Sequence, residues 1–296
     1  MRAQRRISAR AGAAAGALLL AAGAGACSPD SERADTETAD PATSATDLDT
    51  ALERSVAWSS ARLDAADPYT LVVFDFVHRR YAIAEFADAR ALARSGVADA
   101  DPAAEPELRL VRPDVRVNAA QLVEPDAHAP SLLVRGALAC DEPGTPAGFE
   151  ARLDAAIAAG GYDLTHAAVA IGIEVDLGCA PTGGDELRAR IVDALATQAS
   201  ADTRVDDVAI ERLAMLEYLG ARERIPAERV TALIAAQRAD GSFPADDTAA
   251  ALHATVLATW VIAGQVEAGP DPQGADAQGS SVPGGGDPAA PLALLG

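Results

Sequence analysis

The chain contains no lysine, since all 24 of its positively charged residues are arginine. That excludes a Schiff-base lysine, a pyridoxal-phosphate anchor, a Walker A lysine and a Ser-Lys dyad. Aromatic residues are scarce, with 2 Trp, 4 Tyr and 5 Phe in 296 residues. Sugar faces and carbocations are both stabilised by several aromatic rings, so a ring-lined glycan or terpenoid cavity is not expected. The G-x-S-x-G elbow, the H-E-x-x-H zinc motif, the EF-hand loop and the Rossmann glycine fingerprint are all absent. Nor is there the alternation of strand and helix patterns that an α/β solute-binding fold requires.

What is present begins with acid. Forty-four Asp and Glu set the net charge at −20, which repels nucleic-acid phosphates and anionic lipid head groups and excludes nucleic acid as a partner. The N-terminus is different: Arg2, Arg5, Arg6 and Arg10 precede the uncharged Ala11 to Ala26. These 16 residues are rich in Ala and Gly and fall short of the roughly 20 strongly apolar residues of a spanning helix. The pattern predicts a signal peptide over residues 1–26. Arg5-Arg6 hints at twin-arginine export.

The run Ala24-Gly25-Ala26-Cys27 resembles the lipobox of bacterial lipoproteins, with Ala24 where Leu is usual. The resemblance implies cleavage before Cys27, lipid on that cysteine, and a place in the cell envelope, on the outer face of the cytoplasmic membrane or on the outer membrane. The alternative is ordinary cleavage at the A-x-A-like site, leaving Cys27 as a plain thiol. Export into an oxidising compartment favours pairing the other two cysteines, Cys140 with Cys179. Two buried thiols or a metal site are the alternatives, although no His neighbours either cysteine.

The mature chain divides by composition. Residues 27–46 form an acidic, Ser/Thr/Pro-rich tether, and residues 267–296 a Gly/Pro-rich tail with nothing to bury. Residues 47–266 between them suffice for one all-α domain with a substantial core. Helices are predicted over Leu48 to Leu63, Tyr69 to Phe86, Ser131 to Ala139, Gly148 to Ala159, Leu164 to Val175, Glu186 to Gln198, Asp206 to Leu219, Pro226 to Gln237 and Thr248 to Ala263. Residues 97–130 read as an irregular Pro-rich insertion with a short strand at Leu108 to Val111.

Two segments look alike. In Gly148 to Ile173 a helix is followed by Gly160-Gly161-Tyr162 and then by a helix carrying His166. In Pro226 to Ile262 a helix ends in Gln237-Arg238-Ala239-Asp240-Gly241-Ser242-Phe243, and the next carries His253. Such hairpins stack into solenoids or close into rings. The Gln237 to Phe243 run resembles the Q-x-x-D-G-S-W motif of terpenoid cyclases, with Phe243 in place of Trp. It is thereby similar to the α/α-toroid families, which also include protein prenyltransferase β subunits and several polysaccharide-active enzymes. The resemblance covers Pro226 to Gly264 and, more loosely, about 30 residues around His166; it implies a small or incomplete toroid of stacked hairpins. It does not carry the chemistry: Asp206-Asp207 and Asp246-Asp247 are pairs rather than an Asp-rich acid motif, and no zinc ligand set is matched.

The candidate site residues are His166, His253, Tyr162 and Asp163. Each His has apolar residues three, four and seven positions later, such as Val256, Leu257 and Trp260 after His253. Two readings follow. Both imidazoles face a central cleft, or both are hydrogen-bonded core histidines fixing a hairpin loop. Asp67, Asp163, Asp206 and Asp247 each precede or open a predicted helix, as capping residues do. Trp58, Trp260, Phe74, Phe76 and Tyr81 read as core, and Asp75-Phe76-Val77-His78-Arg79-Arg80 as a partly exposed helix face. No cofactor or metal is expected. The favoured role is non-catalytic binding of an envelope protein or small ligand through a concave face, and the rival is a toroid enzyme acting on envelope glycans. A cleft with converging carboxylates and both histidines would favour the rival.

Overall fold

The computed structural model describes residues 43–101, 106–117, 122, 129–141, 143–245 and 248–268. Cys27 with the segment before it, most of the tether, the tail from residue 269 and Asp246-Asp247 lie outside them. The described residues hold ten α-helices: α1 (Ala45–Ser60), α2 (Pro68–Tyr81), α3 (Ala89–Gly96), α4 (Ala129–Leu138), α5 (Phe149–Ala159), α6 (Gly161–Asp176), α7 (Gly184–Ala201), α8 (Asp207–Tyr218), α9 (Ala227–Ala236) and α10 (Thr248–Ala268). There is no strand among the described residues. None of these helices is long and apolar enough to cross a membrane.

Several boundaries follow from local chemistry. Ser44 and Asp47 form a capping box at the start of α1. The Asp67 carboxylate accepts from the N–H groups of Tyr69 and Thr70, each at 3.0 Å, with Pro68 opening the helix behind it. Asp206 caps α8 through the N–H of Ala209. Asp163, by contrast, sits within the first turn of α6, whose N-cap is Gly160, so it does not cap as expected. Pro226 stands one residue before α9 rather than at its first position.

Two expectations require correction. Leu108 to Val111 is no strand, because Pro106–Leu110 forms a 3-10 turn. Buried Arg109 holds it in place, donating to the Leu138 carbonyl and bidentately to Asp141 at 2.7 Å. Tyr69 to Phe86 is not continuous either. It ends at Tyr81, where Ala82 turns left-handed and His78 Nδ1 donates to the Ile83 carbonyl at 2.7 Å. In addition, α3 was not anticipated. Its anchor is the Asp75 carboxylate of α2, nearly buried and shared by Arg79 and Arg90.

The helices stack as an incomplete α/α toroid. The inner layer runs α4, α6, α8, α10, α2, each packed on the next. Outside it, α5 lies on α6 and α4, α7 on α6 and α8, α1 on α10, and α3 on α2, while α9 flanks α1. Where α2 and α4 would meet, the 3-10 turn at Pro106–Leu110 packs on α4. Inner helices are crowded on all sides, which their small residues permit. Gly172 of α6 is an example, since a methyl there would overlap the Tyr218 ring of α8. Core residues such as Phe74, Leu164, Ile171, Ile191, Leu216 and Ile262 are fully buried.

Two devices pin the ring. Cys140, after α4, and Cys179, after α6, form a disulfide with Cα atoms 6.2 Å apart. Beside it the buried Glu174 accepts from the N–H and hydroxyl of Thr182, at 2.7 and 2.6 Å. The second device is the Gln237 to Phe243 run, which ties the last hairpin to the first helix. Gln237 Nε2 donates to the Ala51 carbonyl at 2.9 Å, Trp58 Nε1 donates to Asp240 at 3.2 Å, and Arg54 donates to the Arg238 carbonyl. Gly241, at φ +96°, lets the loop backbone touch the Arg54 carbonyl. Phe243 is fully buried, and its N–H donates to Thr255 Oγ1 of α10 at 3.1 Å.

Candidate functional site

A cavity of about 310 Å³ occupies the centre of the ring and is lined from all five inner helices. Residues near the starts of α2, α6, α8 and α10 form one end of it, and residues one to two turns later form the other. These four helices therefore run in one direction, and their chemistry segregates along the axis. The polar end holds Asp67, Thr70, His166, Glu211 and His253; the apolar end holds Ile173, Met215, Leu257, Tyr218 and Trp260, with Leu110 completing the wall.

Aromatic scarcity does not leave this cavity without rings. Tyr69, Tyr218 and Trp260 all line it, and Phe76 backs the last two with its ring 4.4 Å from Trp260 and 5.6 Å from Tyr218. Tyr218 Oη donates to Asp176 at 2.6 Å, and burial, with that carboxylate beside it, pushes the phenol well up. Trp58, in contrast, lies outside the cavity, buried under the stacked guanidinium of Arg62.

Both sequence-identified histidines face the cavity, each with about a third of its side chain exposed (30% for His166, 34% for His253). His166 Nδ1 donates to the Tyr162 carbonyl at 2.8 Å, so it is also tied to its own helix start. His253 Nδ1 bonds instead to Asp207 Oδ1 at 3.2 Å, while Tyr162 Oη donates to Asp207 Oδ2 at 2.6 Å. One carboxylate at the start of α8 thus joins α6 and α10. Burial alone would push the Asp207 carboxyl up, but the hydrogen bonds from His253 and Tyr162 outweigh it and hold the group below the usual carboxylate range. Burial likewise works against a charged His253. It is overcome by the Asp207 hydrogen bond and by the charges of Asp207, Glu211 and Asp67, so the imidazole is pushed up. Tyr162 is raised by desolvation and by its bond to Asp207.

Glu211 was not singled out from sequence, yet it is the most deeply set polar group here. Its side chain is 6% exposed, Oε1 lies 4.0 Å from His166 Nδ1, and Oε2 has no hydrogen-bond partner among the described residues. Burial raises its carboxyl, against the pull of His166 and His253 and a hydrogen bond from the Thr165 hydroxyl. A signal existed: Met215 and Tyr218 follow Glu211 by four and seven positions, as Leu257 and Trp260 follow His253. Glu211 therefore holds in α8 the place that histidine holds in α6 and α10. What hides the correspondence is the change of residue type, from histidine to glutamate.

Asp163 does not join this group; it borders an apolar surface groove with Arg152 and Leu133. On the far side of Asp207, Tyr162 borders an outer pocket of about 470 Å³ with Arg204 and Arg238. Among the described residues no three His, Cys, Asp or Glu side chains are grouped to hold a metal ion. What the central arrangement offers is a carboxylate-oriented imidazole and a buried carboxyl at the mouth of an apolar cavity. No protein-family model matches the chain, and no curated protein or solved structure matches it.

Proposed function

We propose that this protein is an envelope lipoprotein, tethered through lipid on Cys27, whose helical ring takes a small ligand into its central cavity. The observation that carries the binding part is the cavity itself, walled by all five inner helices, apolar at one end and polar at the other. Small-molecule sites have this form, with apolar walls and a few convergent polar groups that orient the ligand. The lipobox-like run at Ala24 to Cys27 supports the tether, and the disulfide is compatible with an extracytoplasmic site. Intact mass of the protein from its native host tests the anchor: acyl mass on a chain starting at Cys27 is the expected result, and an unlipidated mature chain would refute it. For the cavity, titration with propylbenzene followed by Trp fluorescence in a Trp58→Phe background should give a saturable signal from Trp260. A flat response to propylbenzene and to its polar analogues 2-phenylethanol and 2-phenylethylamine alike would remove the reading.

A second reading, acid-base catalysis on envelope glycans, is favoured by the meeting of both histidines with Asp67 and Glu211 on one cavity and by the Asp207 to His253 bond. A carboxylate that fixes one imidazole nitrogen leaves the other for proton transfer, and Glu211 stands nearby as a carboxyl pushed the opposite way from Asp207. Release of new reducing ends from native envelope glycans, lost in His253→Gln, is the test. No release from any glycan fraction would leave the binding reading alone.

A further inference from the structure

Resting on the cavity-binding reading above, we infer that the ligand is a small organic amine, its ammonium group seated at Glu211 and its apolar body directed toward Trp260. Three observations carry this. First, Glu211 lines the cavity with a side chain only 6% exposed; Thr165 is its one hydroxyl partner, and Oε2, buried behind the wall, takes no hydrogen bond within ordinary reach among the described residues. A buried carboxylate oxygen left unpaired is costly, and a ligand that donates a hydrogen bond removes that cost. Second, the charges that meet at this end are carboxylates: Asp67 from ahead of α2, and Asp207 and Glu211 from α8, all near enough to act on His253. Among the described residues the cationic candidates on the wall are His166 of α6 and His253 of α10, and no arginine lines it. Third, the far end is apolar and aromatic, with Leu257, Met215 and Trp260, which suits a hydrocarbon body and not a second polar group.

The helix N-termini at the polar end would by themselves attract an anion. Asp67 and Asp206 already accept the N–H groups at two of them, so that attraction is largely answered from within the chain. An anionic ligand would also meet Asp67 and Glu211 on the wall, with Asp207 behind His253. A cation meets them favourably, and it competes with the protonated imidazole of His253 for the same field. The amine therefore enters as the ammonium while His253 gives up its proton to solvent, and the net charge of the site is unchanged.

The test compares three probes of one shape on the full chain: 2-phenylethylamine, 2-phenylethanol and propylbenzene, each titrated calorimetrically. The amine is expected to bind at least about tenfold more tightly than the alcohol, as a charge-assisted bond exceeds a neutral one. Its affinity should rise as His253 deprotonates, and the preference should vanish in Glu211→Gln. Equal binding of amine and alcohol, or tightest binding of propylbenzene, overturns the amine while leaving a binding cavity. Failure of all three probes overturns the cavity and the amine together. The comparison within the unaltered protein keeps the result independent of how the variant folds.

Discussion

His253 Nδ1 stands 3.2 Å from Asp207 Oδ1, joining the last inner helix to the start of α8 across the mouth of the cavity. The bond favours imidazolium and carboxylate together, so its contribution has two limits in pH. His253 is raised above its ordinary 6.5, which places its stabilising effect fully below that value, lost as pH rises through the raised pKa. Asp207 is lowered below 3.8, so its share is present above that value and lost as pH falls through the lowered pKa. Thermal melts should therefore show stability declining on the alkaline side of 6.5. In Asp207→Asn that decline should flatten, and the His253 ring, followed by NMR, should titrate at lower pH.

Glu211 carries the opposite sign. Burial raises its carboxyl above the ordinary 4.5, so ionisation at neutral pH opposes folding of the empty protein. Glu211→Gln keeps the shape and removes the charge. It should raise stability at neutral pH by about 1 kcal/mol and make no such difference at acid pH, read from denaturant midpoints at the two pH values. A loss of stability at neutral pH would mean that the carboxylate is paired in solution.

Reduction of the Cys140 to Cys179 bridge releases a loop with a sequence separation of 39. On the chain-entropy account this costs about 4 kcal/mol. The oxidised protein should gain the mass of two protons on reduction, and its melting temperature should fall, while a Cys140→Ala, Cys179→Ala variant should melt like the reduced form whether or not reductant is present.

Gly241→Ala strikes the joint between the last hairpin and the first helix. The position has φ +96°, and an added methyl would overlap the Arg54 carbonyl, a backbone group that cannot swing aside. A loss of about 2 kcal/mol or more is expected. Because Gln237, Asp240 and Arg54 bridge the same joint, hydrogen exchange should rise in α1 and α9 before it rises in α6.

Much of this architecture was legible without coordinates. Nine of the ten helices were marked by apolar spacing, because a helix packed on one side repeats its contacts every three to four residues. α3 escaped because Ala89 to Gly96 is only eight residues long and its buried face is just Ala89 and Ala93, and what holds it is Arg90 on the Asp75 of a different helix. The strand expected at Leu108 to Val111 failed for a related reason: alternating Leu, Arg and Leu fits a strand locally, but buried Arg109 finds its partners at Leu138 and Asp141, far along the chain.

The site divides in the same way. Sequence alone determined that His166 and His253 hold matching places in two hairpins and that the chain has no lysine for catalysis, and it favoured the pairing of Cys140 with Cys179 that the structure holds. Only tertiary structure decided that those histidines border a shared cavity instead of closing into the core. It also decided that Asp207 serves Tyr162 and His253 at once, and that Glu211 is the third member of the set. The reason is physical: helical periodicity records which face of a helix is covered, whereas the convergence of four helix starts on one mouth depends on how the ring packs, and that is carried by contacts between residues distant in sequence.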